Sequence, residues 1–244
     1  MLSLHNILTE LPDGAPWLCA LSRTTQTGSI VRSQARKCGM GTEKALKSYT
    51  KLFGTTLARN QVADAAKITR AFETRLANMY ASEDFRRHSA YPSIDTVKVY
   101  AVIAFGLELR ERGYSDEKII DLVNAAFANL KRLFYAIEAA VDLFPCCYAI
   151  VRKWNIQDHA ARIADGSIDY DFFEADEKNV AYSISGCRYV EMFERYGVRS
   201  LCKVFCMSDT MAYDHLTRHV RFIRHSDLSD GPACQDEIIN LHAR

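Results

Sequence analysis

The sequence predicts an α+β fold: a predominantly helical domain with a small antiparallel sheet in its C-terminal part. Three observations lead there. Apolar residues recur at helical spacing from about Thr42 to Trp154. The period then drops to two in Val180-Ala181-Tyr182-Ser183-Ile184 and in Val220-Arg221-Phe222-Ile223-Arg224, so each of these reads as a strand. Finally, no Gly/Ser/Pro-rich linker or long charge run divides the 244 residues. Residues 41–244 therefore read as one domain, helical over 41–165 and mixed α/β over 166–244.

Residues 1–40 contain Pro12, Gly14, Pro16, Gly28, Gly39 and a Ser/Thr-rich run from Ser22 to Ser33, and read as an N-terminal extension. Ala45, Tyr49, Leu52 and Phe53, then Ile68, Phe72, Leu76 and Met79, predict one long helix or two between Thr42 and Tyr80, with Gly54 as the break. The turn Ala90-Tyr91-Pro92-Ser93 precedes an apolar helix over Ile94–Leu109, which Arg112-Gly113-Tyr114 ends with a C-cap glycine. Ser115 caps the next helix, whose first turn carries Asp116 and Glu117, where the helix dipole favours negative charge. Pro145 opens a helix through about Trp154, and a shorter helical piece precedes Gly166. The two strands bracket helices over about Arg188–Tyr196 and Val198–Leu216. They are expected to pair in one sheet with the second helix packed against it.

Composition narrows the function classes. Hydrophobic residues make up 48% and charged residues 25%, ordinary for a chain that buries a core. With 31 Lys+Arg against 30 Asp+Glu, the charge of +1 argues against nucleic-acid and anionic-membrane surfaces. The first residues lack a basic stretch followed by a long apolar one, and no apolar run reaches the roughly 18 residues a bilayer span needs. A cytoplasmic location is expected. The eight cysteines are then reduced thiols, and the absence of Cys-x-x-Cys speaks against a structural zinc site. A homo-oligomer is compatible with all of this.

The densest chemistry lies between Asn179 and Glu237. On a helix over Val198–Leu216, Cys202, Cys206, Asp209 and Tyr213 share one stripe at steps of four, three and four. A carboxylate is costly on an apolar face without a partner, so its place beside thiols points to chemistry. Cys19, Cys38, Cys146, Cys147, Cys202 and Cys234 read as structural, since free cysteine is among the most buried residue types. His215 and His219 have the spacing of a metal pair but no evident third ligand, and read as ordinary histidines. Tyr100, Phe105, Phe127, Phe134 and Tyr135 lie at helical spacing and read as core, with one or two available to wall a pocket.

Asn179-Val-Ala-Tyr-Ser-Ile-Ser-Gly-Cys187-Arg-Tyr-Val-Glu191-Met-Phe, Val204-Phe205-Cys206-Met-Ser-Asp209, Phe222-Ile-Arg224 and Gly231-Pro-Ala-Cys234 together make the chain resemble the L-2-amino-thiazoline-4-carboxylic acid hydrolase family. The resemblance implies hydrolytic opening of a small cyclic amidine-like amino acid, with the family's cysteines at Cys187 and Cys206 and its carboxylate at Asp209. No cofactor and no metal is expected, while the residue types leave a Cys187/Cys206/Asp209/His zinc site open, since soft thiolates and imidazole suit that ion. In the last motif Arg224, Gly231 and Cys234 match the family's pattern while Asp227 and Gln235 depart from it, which points to a changed substrate or a lost activity.

Ring opening needs a nucleophile at the amidine-like carbon and proton delivery to the departing atom. Cys206 suits the first task and Asp209 the second; alternatively Asp209 activates water and the thiols shape the pocket, Cys187 among them. Arg188 or Arg224 suits the substrate carboxylate, and Tyr213 the rest of the substrate. Two other classes stay open. One is a cyclase or lyase on an amino-acid-derived substrate in a specialised biosynthetic pathway. The other is a non-catalytic small-molecule-binding or sensor protein.

Overall fold

The computed structural model describes residues 38–243. The expected N-terminal extension lies outside the described residues, apart from the start of the first helix. Helices α1 (Cys38–Arg59) and α2 (Ala65–Ala81) pack on each other, and the break between them falls at residues 60–64. There Gln61 (φ 51°) and Asp64 (φ 56°) take left-handed backbone. Gly54 therefore does not break the helix as expected. It sits inside α1 facing α2, where a Cβ would come within 2.9 Å of Thr69 Cγ2, so the missing side chain lets the helices approach.

Short α3 (Glu83–His88) is capped by Ser82, whose hydroxyl accepts from the Phe85 N–H at 3.1 Å. Helix α4 (Thr96–Arg110) starts at Asp95, which accepts from the Lys98 N–H. It is apolar nearly all round because it is buried nearly all round, against α1, α2, α5 and α8. Gly113 (φ 81°) ends it as the sequence predicts, and Ser115 caps α5 (Asp116–Ala126). Phe53, Phe72 and Phe105 fill the space between α1, α2 and α4, with Phe53 and Phe105 stacked at 4.2 Å. After α6 (Ala128–Val141), α7 (Cys147–Asp165) runs unbroken past Trp154 to Gly166 (φ 66°), so the two helical pieces expected there are one.

The C-terminal part holds a four-stranded antiparallel sheet of β1 (Ile168–Ala175), β2 (Asn179–Cys187), β3 (Val220–Ser226) and β4 (Cys234–Asn240), in the order β1-β2-β4-β3. The two expected strands, β2 and β3, share this sheet but do not pair. Strand β4 lies between them, with Tyr182 opposite Asp236 on one side and Arg224 opposite Asp236 on the other.

Between β2 and β3 run α8 (Arg188–Arg195), a 3₁₀ turn (Arg199–Cys202) and α9 (Lys203–Met211), which packs against β3 and α5. The long helix expected over Val198–Leu216 is thus only its middle. Gly197 (φ 68°) and the 3₁₀ turn replace its start. Past Met211 the chain tightens into turns in which the Tyr213 N–H reaches Thr210 O and the Leu216 N–H reaches Tyr213 O, both at 3.1 Å. Among the described residues no helix is long and apolar enough to cross a membrane.

Candidate functional site

A cavity of about 180 Å³ lies between the sheet and the helices α6, α7 and α9. Cys206 and Asp209 reach it from α9, Cys187 from the end of β2, Arg224 from β3 and Tyr213 from the turn after α9. Cys202, in the 3₁₀ turn, and Cys234, at the start of β4, line it as well. The stripe read on one long helix thus converges on one wall although the helix stops two residues before Tyr213. A tight turn carries Tyr213 round to the same side, where its ring stacks on Phe222 at 4.9 Å and its hydroxyl lies 3.3 Å from Asn155 Oδ1.

Arg224 organises this wall. Its Nε and Nη2 donate to the two carboxylate oxygens of Asp236 at 2.8 and 2.7 Å, a bidentate pair in which the Asp236 side chain is 1% exposed. Nη1 donates to the Cys206 carbonyl, and Nη2 also reaches Asp209 Oδ2 at 3.3 Å. The guanidinium expected to hold a substrate carboxylate is therefore largely used within the protein. It pins α9 to β3 and β4 and so orients Asp209, whose side chain is the more exposed partner of the pair. Arg188 lies outside the cavity lining. It bonds to Glu191 and to the Gly166 carbonyl and lies 3.4 Å from Asp169, because α8 begins as the chain leaves the sheet and turns this side chain outward.

A different arginine does line the cavity. Arg162 of α7 is 7% exposed, and its Nε donates to Asp158 Oδ2 at 2.5 Å one turn earlier. Burial opposes its charge, and Asp158 with the nearby Tyr189 and Tyr170 outweigh burial, so its pKa rises above the ordinary guanidinium value. Tyr170, Tyr182, Tyr189 and Tyr213 surround this part of the cavity, and burial holds all four phenols un-ionised.

Burial also governs the thiols. It pushes Cys187 up to about 11, although the Val190 and Tyr189 backbone N–H groups at the start of α8 and the Arg162 charge all favour its thiolate. The same cause raises Cys234 to about 12. Cys202 is raised first by its contact with the Cys206 thiol and then by burial. These groups are thiols at rest, and a thiolate forms only where a base takes the proton. Asp209 stands one helical turn after Cys206 on the same face of α9.

The sequence reading missed Arg162 with Asp158, and Asp236. The first two carry a legible signal, opposite charges four apart on a helix, which is also the commonest pattern of a solvated face. Asp236 is a charge on an interior strand, and nothing local in Cys-Gln-Asp-Glu-Ile-Ile announces its partner on β3. His215 and His219 lie outside any common helix: His215 stacks on Tyr135 at 4.1 Å and His219 lies 4.8 Å from the His242 ring. Among the described residues no group of three His, Cys, Asp or Glu side chains is placed to hold a metal ion.

The family model described as L-2-amino-thiazoline-4-carboxylic acid hydrolase matches residues 96–236, more than half of the chain. The match runs from the first residue of α4 to Asp236 in β4 and spans every side chain of the wall described above. No curated protein and no solved structure matches the chain.

Proposed function

The chain belongs to the L-2-amino-thiazoline-4-carboxylic acid hydrolase family, and from that premise we propose that it hydrolyses a small cyclic amidine-like amino acid of the 2-amino-thiazoline-4-carboxylate type. The observation that carries the proposal is the convergence of Cys206, Asp209 and Cys187 on one cavity whose wall Arg224 holds in place.

In this reading the Cys206 Sγ adds to the amidine-like carbon between the ring nitrogen and sulfur as its proton passes to Asp209. The tetrahedral adduct collapses by breaking a ring bond to that carbon, and the departing ring atom takes the proton from Asp209. Water then adds to the same carbon and Cys206 leaves as the free thiol, so the net change is one water consumed. Arg162, already oriented by Asp158 and in contact with Tyr189, is the better anchor for the substrate carboxylate than the expected Arg188 or Arg224, because it lines the cavity and is not tied up in a bidentate carboxylate pair as Arg224 is. The four tyrosines wall the ring and supply hydroxyl groups to its polar edge.

A second reading has its own observation. The Cys187 Sγ faces backbone N–H groups at a helix start and the Arg162 charge, which favour its thiolate against the burial that holds it as a thiol at rest. Cys187 would then be the nucleophile and Cys206 part of the wall.

The test is to incubate the full chain with L-2-amino-thiazoline-4-carboxylate and related cyclic amidines and to follow the product by mass. Gain of one water with ring opening is the expected result. Tight binding without turnover across the panel would favour a ligand-binding protein, and ring closure or elimination on an open-chain analogue would favour a cyclase or lyase.

A further inference from the structure

One carboxylate on the cavity has no part in this chemistry. Glu138 of α6 is 6% exposed and lines the cavity, and among the described residues neither of its buried carboxylate oxygens has a hydrogen-bond partner. A buried carboxylate without a partner opposes folding once it is ionised, so it is unusual in a wall that aliphatic or aromatic residues could complete.

The groups around it do not relieve it. Asp214, in the turn after α9, is a like charge; the backbone N–H of His215 lies near enough to favour the ionised form but does not reach hydrogen-bond geometry, and the His215 ring is taken up in stacking on Tyr135. Elsewhere on the cavity lining, the Lys98 ammonium of α4 lies over the rings of Phe127 at 4.5 Å and Phe205 at 5.4 Å, and Arg162 is paired with Asp158. Asp209, tethered by Arg224, acts on Tyr170, Tyr182, Tyr189 and Tyr213, whereas the charged neighbour of Glu138 is Asp214. Besides Asp158 and Asp236, which Arg162 and Arg224 pair, the cavity thus has two further acidic positions, Asp209 and Glu138.

We propose that Glu138 is a second recognition point in the cavity, receiving a cationic nitrogen group of the ligand: an amidinium, a guanidinium or an ammonium. A planar amidinium would donate two parallel N–H groups to the two carboxylate oxygens, completing the pair that the protein leaves incomplete. The ligand class is then one that carries such a cation in addition to whatever Asp209 and Arg162 engage. The inference concerns binding and holds whether or not the cavity opens a ring.

Because burial and Asp214 raise Glu138 to about 7, an ionised partner for the cation is plentiful at pH 8 and scarce at pH 6. Calorimetric titration of the full chain with benzamidine and with its neutral isostere benzamide separates charge recognition from shape. At pH 8 the amidine is expected to bind at least tenfold more tightly than the amide. That preference should fall at least threefold at pH 6 and drop below twofold in Glu138→Gln. His215→Gln should keep the pH dependence, which assigns it to the carboxylate rather than to the imidazole. Equal affinities for the two probes in the wild type at pH 8, or an undiminished preference in Glu138→Gln, would overturn the proposal. Should Glu138→Gln fail to fold, the wild type decides alone, since a preference that stays flat from pH 6 to 8 overturns it equally.

Discussion

The space between α1, α2 and α4 and the space between the sheet, α7 and α9 are both interior, yet they are filled in opposite ways. In the first, Phe53, Phe72 and Phe105 are fully buried and meet ring to ring, and the buried Glu108 nearby is bonded by both Arg75 and Arg112. In the second, guanidinium groups, carboxylates, thiols and phenols face one cavity, and Glu138 has no partner among the described residues. Apolar burial stabilises a fold without specifying chemistry, whereas buried charge contributes little net stability and survives where a site needs it. The helical side is therefore expected to answer substitution with unfolding, and the cavity side with altered chemistry.

The sharpest contrast comes from removing one ring. Phe105→Ala should lower stability by about 3–5 kcal/mol in urea unfolding, because it empties a packed aromatic contact that nothing can refill. A loss under 1 kcal/mol would mean that this core is less tightly packed than its geometry indicates.

Next in size is Asp236→Asn, which leaves Arg224 without its bidentate partner and should cost about 3 kcal/mol. Here turnover should fall further than stability accounts for, since the same guanidinium holds Asp209 and the Cys206 carbonyl. Unchanged kcat in the folded variant would reduce the pair to a structural role.

Glu138 reverses the usual sign. Its folded pKa is raised to about 7 from 4.5, so the stability linked to its proton is fully present below pH 4.5 and is lost as pH rises through 7. Glu138→Gln should therefore stabilise the chain at pH 8, by up to about 3 kcal/mol, and by little at pH 4.5. Urea midpoints for both proteins across that range check this, and equal pH dependence in the two would contradict it. At the small end, Lys47→Ala, which breaks an exposed ion pair with Glu43, should leave the urea midpoint unchanged within measurement error, and a clear shift would contradict the view of this pair as solvent-screened.

The same contrast explains what could be read before the fold was known. Helices α4 and α5 were legible because local signals agree: apolar period, the Ser115 cap, and a glycine where the backbone turns left-handed. Strands β2 and β3 were legible by their alternation. Strand β4 was not, because its central position rests on Asp236 meeting Arg224 across the sheet, a relation between residues twelve apart that no local pattern carries. Strand β1 was hidden for a related reason: its register is interrupted at Tyr170 and Phe172, which breaks the alternation. Cys187, Cys206, Asp209, Tyr213, Arg188 and Arg224 were singled out from motif and spacing, and all but Arg188 line the cavity. Arg162 and Glu138 were not found, since each looks like an ordinary helical charge until α7 and α6 are set against the sheet.

The proposed mechanism stands on the nucleophile: Cys206, with its proton taken by Asp209, attacks the substrate. It is tested most directly by comparing Cys206→Ser, Cys187→Ser and wild type for both affinity and turnover of L-2-amino-thiazoline-4-carboxylate. Cys206→Ser is expected to bind as the wild type does while its kcat falls by at least about a thousandfold, and Cys187→Ser to retain most of its turnover. Near wild-type kcat in Cys206→Ser, with the collapse in Cys187→Ser instead, would contradict it and move the nucleophile to the start of α8.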